Sequence, residues 1–162
     1  MNGPFAVAAF LLLMHAAPCG AQERRNFFED PFAQVTSALR DCPEPEGPLM
    51  TPQEFRDAAH IRAQHGGSCY LSGRCRLPNS YLYDKEIIPR TVQYIQRDGR
   101  FDDTSVWILG QRRIVTILGC VNSREQADAL VKWVMLMDDV MNVVDQTMVG
   151  TRGAPPYPVQ GR

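Results

Sequence analysis

Two runs, "TSVWILG" and "RIVTILGCV", flank a short polar turn at residues 110–113 and constrain this 162-residue chain more than any other feature. β-Branched and aromatic residues on either side of such a turn predict a hairpin. Side chains alternate along a strand, so Val115, Ile117, Gly119 and Val121 face one way and Thr116, Leu118 and Cys120 the other. On the preceding strand, Val106 and Ile108 share the first face, and Trp107 and Leu109 the second. Both faces are apolar, so the fold has to keep two surfaces from water. An uncovered second face would be an association site. The expected solution is that residues 26–80 fold over it, with Cys42 or a neighbour bonded to Cys120.

The first face has its cover on either side of the hairpin. "DKEIIPRTVQYIQRDG" places Ile88, Val92 and Ile95 on one helical stripe, with Asp84 as cap and Gly99 as stop. Beyond the hairpin, Ser123 caps "REQADALVKWVMLM", in which Ala127, Leu130, Val131 and Val134 form a second stripe. "VMNVVDQTMV" reads as a last strand. This order predicts an α+β fold: a small αββαβ unit with two helices on one face of a three-stranded mixed sheet. The second helix is the crossover that returns the last strand in parallel.

Upstream, an apolar run from Phe5 to Met14 is too short to cross a bilayer as a helix and is followed by small residues. That pattern fits a secretory signal over residues 1–21 and an exported, periplasmic protein. A lipid anchor on Cys19 is the weaker alternative, because Pro18 fits badly before a lipidated cysteine. Residues 22–80 read as a helical, cysteine-bearing region, 81–149 as the αββαβ unit and 150–162 as a flexible Pro/Gly-rich tail. Within the second segment one helix is expected from an Asp30 cap, with Pro31 in its first turn and Phe32, Val35 and Leu39 on one side. "PEPEGP" breaks it. A second helix opens at Thr51, Pro52 and Glu54, a capping box, runs to about His65 and ends at Gly66–Gly67.

Export changes how cysteines read. Cys42, Cys69, Cys75 and Cys120 would remain, an even number in an oxidising compartment, so two disulfides are expected among three possible pairings. Cys69 and Cys75 flank "YLSGR", a loop short enough to close locally, which would leave Cys42 with Cys120. The alternative, zinc held by His60, His65, Cys69 and Cys75, lacks the CxxC pair such sites use, and no metal or cofactor is expected.

The stretch "VWILGQRRIVTILGCVNSREQADALVKWVMLMDDVMNVVDQTMV" resembles the BON domain of bacterial envelope proteins, a family that includes osmotically induced periplasmic proteins. Val106 and Ile108 match its alternating first strand, and Val115, Ile117, Gly119 and Val121 its second. The Ala-containing helix and "VVDQTMV" follow in register, so the resemblance covers roughly residues 84–149. It implies binding of phospholipid. The family carries glycine where Arg113 and Asp139 stand here, so the loop at Arg113 is expected to take another form.

Charge balance supports no polyanion partner: the net charge is -1, and nucleic-acid binding would want a basic excess. Two mature histidines without a nucleophile motif, and carboxylate pairs at Asp102–Asp103 and Asp138–Asp139 that fall in turns, predict no enzyme. Off the buried stripe of the second helix, Trp133, Leu136 and Met137 cluster beside Lys132. An amphipathic ring with a neighbouring cation suits a headgroup boundary, where Arg112, Arg113 and Arg124 would meet phosphate. Ordinary packing against the N-terminal region or the tail explains the same surplus. A second functional reading is a protein–protein module of an envelope or secretion assembly, docking through Phe27, Phe28 and Phe32. If the cysteines are paired, non-reducing denaturation of the protein lacking residues 1–21 should expose no titratable thiol. Four free thiols would reverse the disulfide reading.

Overall fold

The structure is a computed structural model that describes residues 23–161; the expected signal segment, with Cys19, lies outside the described residues. The elements in order are β1 (Phe32–Gln34), α1 (Pro52–Gly66), the single turn α2 (Ser68–Leu71), a 3-10 turn (Ser80–Leu82), α3 (Asp84–Asp98), β2 (Ser105–Gln111), β3 (Ile114–Val121), α4 (Arg124–Val134) and β4 (Asn142–Val149). They form an α+β fold around one mixed sheet of order β1-β2-β3-β4. β1 and β3 both run antiparallel to β2, and β4 lies parallel to β3 after the α4 crossover.

The two helical stripes bury the first face as their spacing predicts. Ile87, Ile88 and Ile95 of α3 and Ala127, Leu130 and Val134 of α4 pack with Val106, Ile108, Val115, Ile117 and Val121. Ser123 accepts from the Gln126 N–H at the start of α4, and Gly99 ends α3 with φ +74°, where a side chain would be strained. Thr51 and Glu54 make the reciprocal bonds of a capping box on α1. Gly66 is needed there for space rather than torsion, since a Cβ would sit 2.6 Å from the Asn79 side chain.

The helix expected from Asp30 does not form. Residues 32–34 are instead a fourth strand, with Phe32 opposite Leu109 and Gln34 opposite Trp107. Beyond it Val35 and Ala38 still donate to Val106 and Thr104. The free edge of β2 offers this segment partners for its backbone that a lone amphipathic turn cannot match. Pro31, just ahead of the strand, still accepts from the Gly110 N–H and has no N–H of its own to leave unpaired, and Asp30, expected as a cap, instead pairs with Arg62 and Gln111.

On the second face, Trp107 and Leu118 are 6% exposed and Cys120 is fully buried. Residues of the 22–80 region do cover it. The Cys42–Cys120 disulfide pins one end, and Gly47 lies against the Phe32 ring at the other. The tail expected to be flexible joins this cover. Glu46 N–H donates to Pro158 and Gln160 N–H to Glu44, while buried Tyr157 donates to the Pro43 carbonyl at 2.8 Å. Burial with no compensating charge pushes the Tyr157 hydroxyl up to about 12, so it stays a donor at physiological pH. A bridge across 78 residues should contribute about 4 kcal/mol by chain entropy. Replacing Cys42 and Cys120 together by Ala should therefore lower the denaturant midpoint and raise dye binding to apolar surface while helical circular dichroism persists. An unchanged midpoint would mean that Tyr157 and the paired loops hold the cover alone.

Candidate functional site

The β2–β3 turn gathers the chain's least ordinary chemistry. Arg112 (φ +56°) and Arg113 (φ +66°) are both left-handed, the two-residue hairpin geometry that favours Asn-Gly. Each non-glycine residue there costs about 1–2 kcal/mol. The expected departure from the left-handed form is thus overturned: the turn is retained and stabilised from outside. Asp84, 1% exposed, supplies that support. Its two carboxylate oxygens accept the Arg112 and Arg113 N–H groups at 2.7 and 2.8 Å. Asp84 is therefore not the helix cap expected from its position. Tyr83 precedes the helix without a side-chain cap, and the carboxylate reaches across to the turn.

The same pattern holds at Asp139, the other position where glycine was expected. It is left-handed at φ +71°, and its carboxylate lies 3.6 Å from each of Arg76, Arg90 and Arg113. Arg113 ties these pieces together. Its Nε donates to the Asp139 carbonyl at 2.7 Å, its plane lies 4.7 Å from the Tyr83 ring centre, and Nη1 lies 3.1 Å from Cys75 Sγ. Its own carbonyl accepts from Met141. Three loops therefore meet at one guanidinium: the hairpin turn, the 135–141 link after α4, and the 69–75 loop closed by its own disulfide.

Beside Arg113 a cleft of about 500 Å³ opens, lined among others by His65, Cys69, Arg74, Arg112 and Met141. Arg112 is exposed, and no side-chain partner holds its guanidinium among the described residues. Two of the three loops also carry exposed apolar side chains: Leu71 on the 69–75 loop is 86% exposed, and Leu136 and Met141 on the 135–141 link are 68% and 61% exposed.

The residues expected to meet headgroups divide. Arg112, Arg113 and Leu136 belong to this end of the sheet, with half-buried Met137 on the same link and exposed Lys132 on the preceding helix. Trp133 stacks on Tyr94 with ring centres 4.8 Å apart, Arg100 lies 4.1 Å from its centre, and its indole N–H is buried without a partner among the described residues. Arg124 stands at the far end of α4, paired with Asp145 at 2.6 Å. Arg74, Arg76, Arg90 and Met141 were not singled out from the sequence, and Asp84 was read only as a helix cap; of the first four only Arg74, inside the short cysteine loop, carried a local signal.

No group of three or more His, Cys, Asp or Glu side chains among the described residues could hold a metal ion. The chain matches no family model, no curated protein and no solved structure. The fold therefore defines an α+β protein with two disulfides and an arginine-rich hairpin end.

Burial, and secondarily the nearby Asp30 charge, raise Asp84 to about 6 against the lowering pull of its two N–H donors and Arg62. A carboxyl group raised in the folded state contributes stability below its unfolded value of about 4, and that contribution is lost as pH rises through about 6. The loss should reach about 3 kcal/mol at most. Exposed Glu54 and Glu125 and half-buried Asp98 are lowered and act in the opposite sense in more acidic solution, so the difference between wild type and Asp84→Asn isolates this group. Urea midpoints measured across pH 4 to 7 should fall with pH in wild type relative to the variant. Parallel profiles would show that Asp84 titrates normally.

Proposed function

We propose that this is a non-enzymatic, exported periplasmic protein whose BON-like unit docks on anionic phospholipid through its hairpin end, in support of the envelope. The observation that carries the reading is the joint exposure of Leu71, Leu136 and Met141 on two of the three loops that meet at Arg113, beside a cleft bearing Arg74 and Arg112. Apolar tips gain about 25 cal/mol per Å² withdrawn from water, and each arginine near an anionic leaflet adds about 1 kcal/mol. The planar guanidinium of Arg112 suits a phosphate, which accepts two parallel hydrogen bonds. Such docking is reversible and salt-sensitive.

Two further features support the reading. Residues 84–149 run helix, strand, strand, helix, strand with the strand faces that the BON resemblance implies. Two disulfides fit an oxidising compartment, and no described helix is long and apolar enough to cross a membrane, which fits surface docking. The partner-docking reading has less to work with. Phe27 stacks on Phe55 at 4.9 Å, Phe28 packs against the same ring at a tilt at 4.8 Å, and Phe32 lies under Gly47, so these rings are engaged in packing.

Flotation with zwitterionic vesicles and with vesicles containing phosphatidylglycerol tests the proposal. Binding should appear only with the anionic lipid and fall with added salt. Arg74→Glu combined with Arg112→Glu should weaken it at least about tenfold, and Leu136→Asp should weaken it at low and high salt alike. Arg124→Glu should leave it unchanged. Equal flotation on both vesicle types, or none on either, would overturn the assignment.

A further inference from the structure

The two disulfides sit in opposite chemical settings. Around Cys42–Cys120 the nearest polar groups are oxygens: the Ser105 carbonyl at 3.6 Å, the Tyr157 hydroxyl at 3.9 Å and the Pro43 carbonyl at 4.0 Å from Cys42 Sγ. Cys120 is fully buried. A thiolate formed at Cys120 would lose its hydration, and among the described residues the polar contacts of half-buried Cys42 include no cation. Around Cys69–Cys75 the arrangement is reversed. Arg113 Nη1 lies 3.1 Å from Cys75 Sγ and 4.0 Å from Cys69 Sγ. Arg113 is itself held by the Asp139 carbonyl and the Tyr83 ring, so the cation stays in place when the sulfur changes charge.

The two sulfurs of this bridge also differ in access. Cys69 lines the cleft beside Arg74 and Arg112, whereas Cys75 packs against the hydrophobic core. Exchange is fastest when the attacked sulfur can be reached and the departing sulfur is stabilised as thiolate. Here the reachable sulfur is Cys69 and the stabilised leaving group is Cys75.

We propose that Cys69–Cys75 is a thiol-exchange site, opened by a dithiol that attacks Cys69 from the cleft while Cys75 departs as a thiolate against Arg113. The attacking thiolate forms an S–S bond to Cys69 Sγ as the Cys69–Cys75 bond breaks, and the electron pair leaves on Cys75. The second thiol of the dithiol loses its proton to solvent and attacks its own sulfur in the mixed disulfide. Cys69 is released and takes up a proton. The dithiol ends as a disulfide, and the protein bridge has gained two electrons. Cys42–Cys120 is the structural bridge and stays closed. Opening the other frees the loop that carries Leu71 and Arg74 without disturbing the sheet.

Graded dithiothreitol on the folded protein, acid quenching, alkylation and peptide mass spectrometry read the order of opening. Cys69 and Cys75 should be fully labelled before Cys42 or Cys120 is labelled at all. In the protein reduced only at this site, the pH midpoint of Cys75 alkylation should lie at least about one pH unit below the ~8.5 of an unperturbed thiol, and Cys69 should stay near that value. Arg113→Gln should raise the Cys75 midpoint to that of Cys69, and Arg113→Lys should restore part of the difference. The comparison of the two cysteines within wild type does not depend on either variant folding. Opening of Cys42–Cys120 first, simultaneous opening of both bridges, or equal midpoints for Cys69 and Cys75 would overturn the proposal. None of these readouts involves a vesicle, so they stand apart from the lipid assignment.

Discussion

A two-stranded hairpin that is apolar on both faces cannot stand alone in water, and the molecule is organised around that fact. α3 and α4 close one face with isoleucine, leucine and valine of matching period. The other face carries Trp107, Leu118 and Cys120, and only irregular chain is available to cover it. Irregular chain has little of its own to hold it in place. The cover is therefore fastened by a covalent bond at Cys120, by a buried tyrosine and by short pairings between residues 44–46 and 158–160. Where regular elements do the covering, packing suffices; where loops do, the chain uses a crosslink that restricts the unfolded state.

The hairpin turn shows a second kind of compensation. Two left-handed arginines and a left-handed aspartate occupy positions that glycine would fill without strain. Asp84 answers the first two with a buried carboxylate, and three arginines answer the third. The torsional cost is offset in part by the two N–H bonds that Asp84 accepts and by the three arginines grouped around Asp139. Because the replacement residues have side chains, the strained turn can also carry function. Arg112 is left exposed beside a cleft, and Arg113 reaches a disulfide sulfur. Glycines at both positions would have given the same hairpin with neither property.

Much of this was legible in the sequence because the signals act over a few residues. Thr51, Glu54, Ser123 and Gly99 mark helix ends through bonds to neighbours three or four positions away. Alternation in residues 106–109 and 115–121 separated the two faces, and the helical stripes supplied the core. Cysteine spacing pointed to a local bridge and so to the long one. The site was read less completely. Arg112 and Arg113 stand on the hairpin turn and Leu136 on the link after α4, but Trp133 is taken up by Tyr94 and Arg100, whose places on the surface helical spacing cannot reveal.

The sequence by itself determined the α+β class, the αββαβ order and the division of the hairpin into two dry faces, because periodicity and capping are properties of neighbouring residues. Only the tertiary structure decided that residues 32–34 are a strand. Their local pattern suits a turn of helix, but the open edge of β2 satisfies more of their backbone. It decided likewise that Asp84 serves a turn 28 residues away and that residues 158–160 close over residues 44–46. Such contacts join groups that no local pattern relates, and their worth appears only once the sheet has placed them within hydrogen-bonding reach of each other.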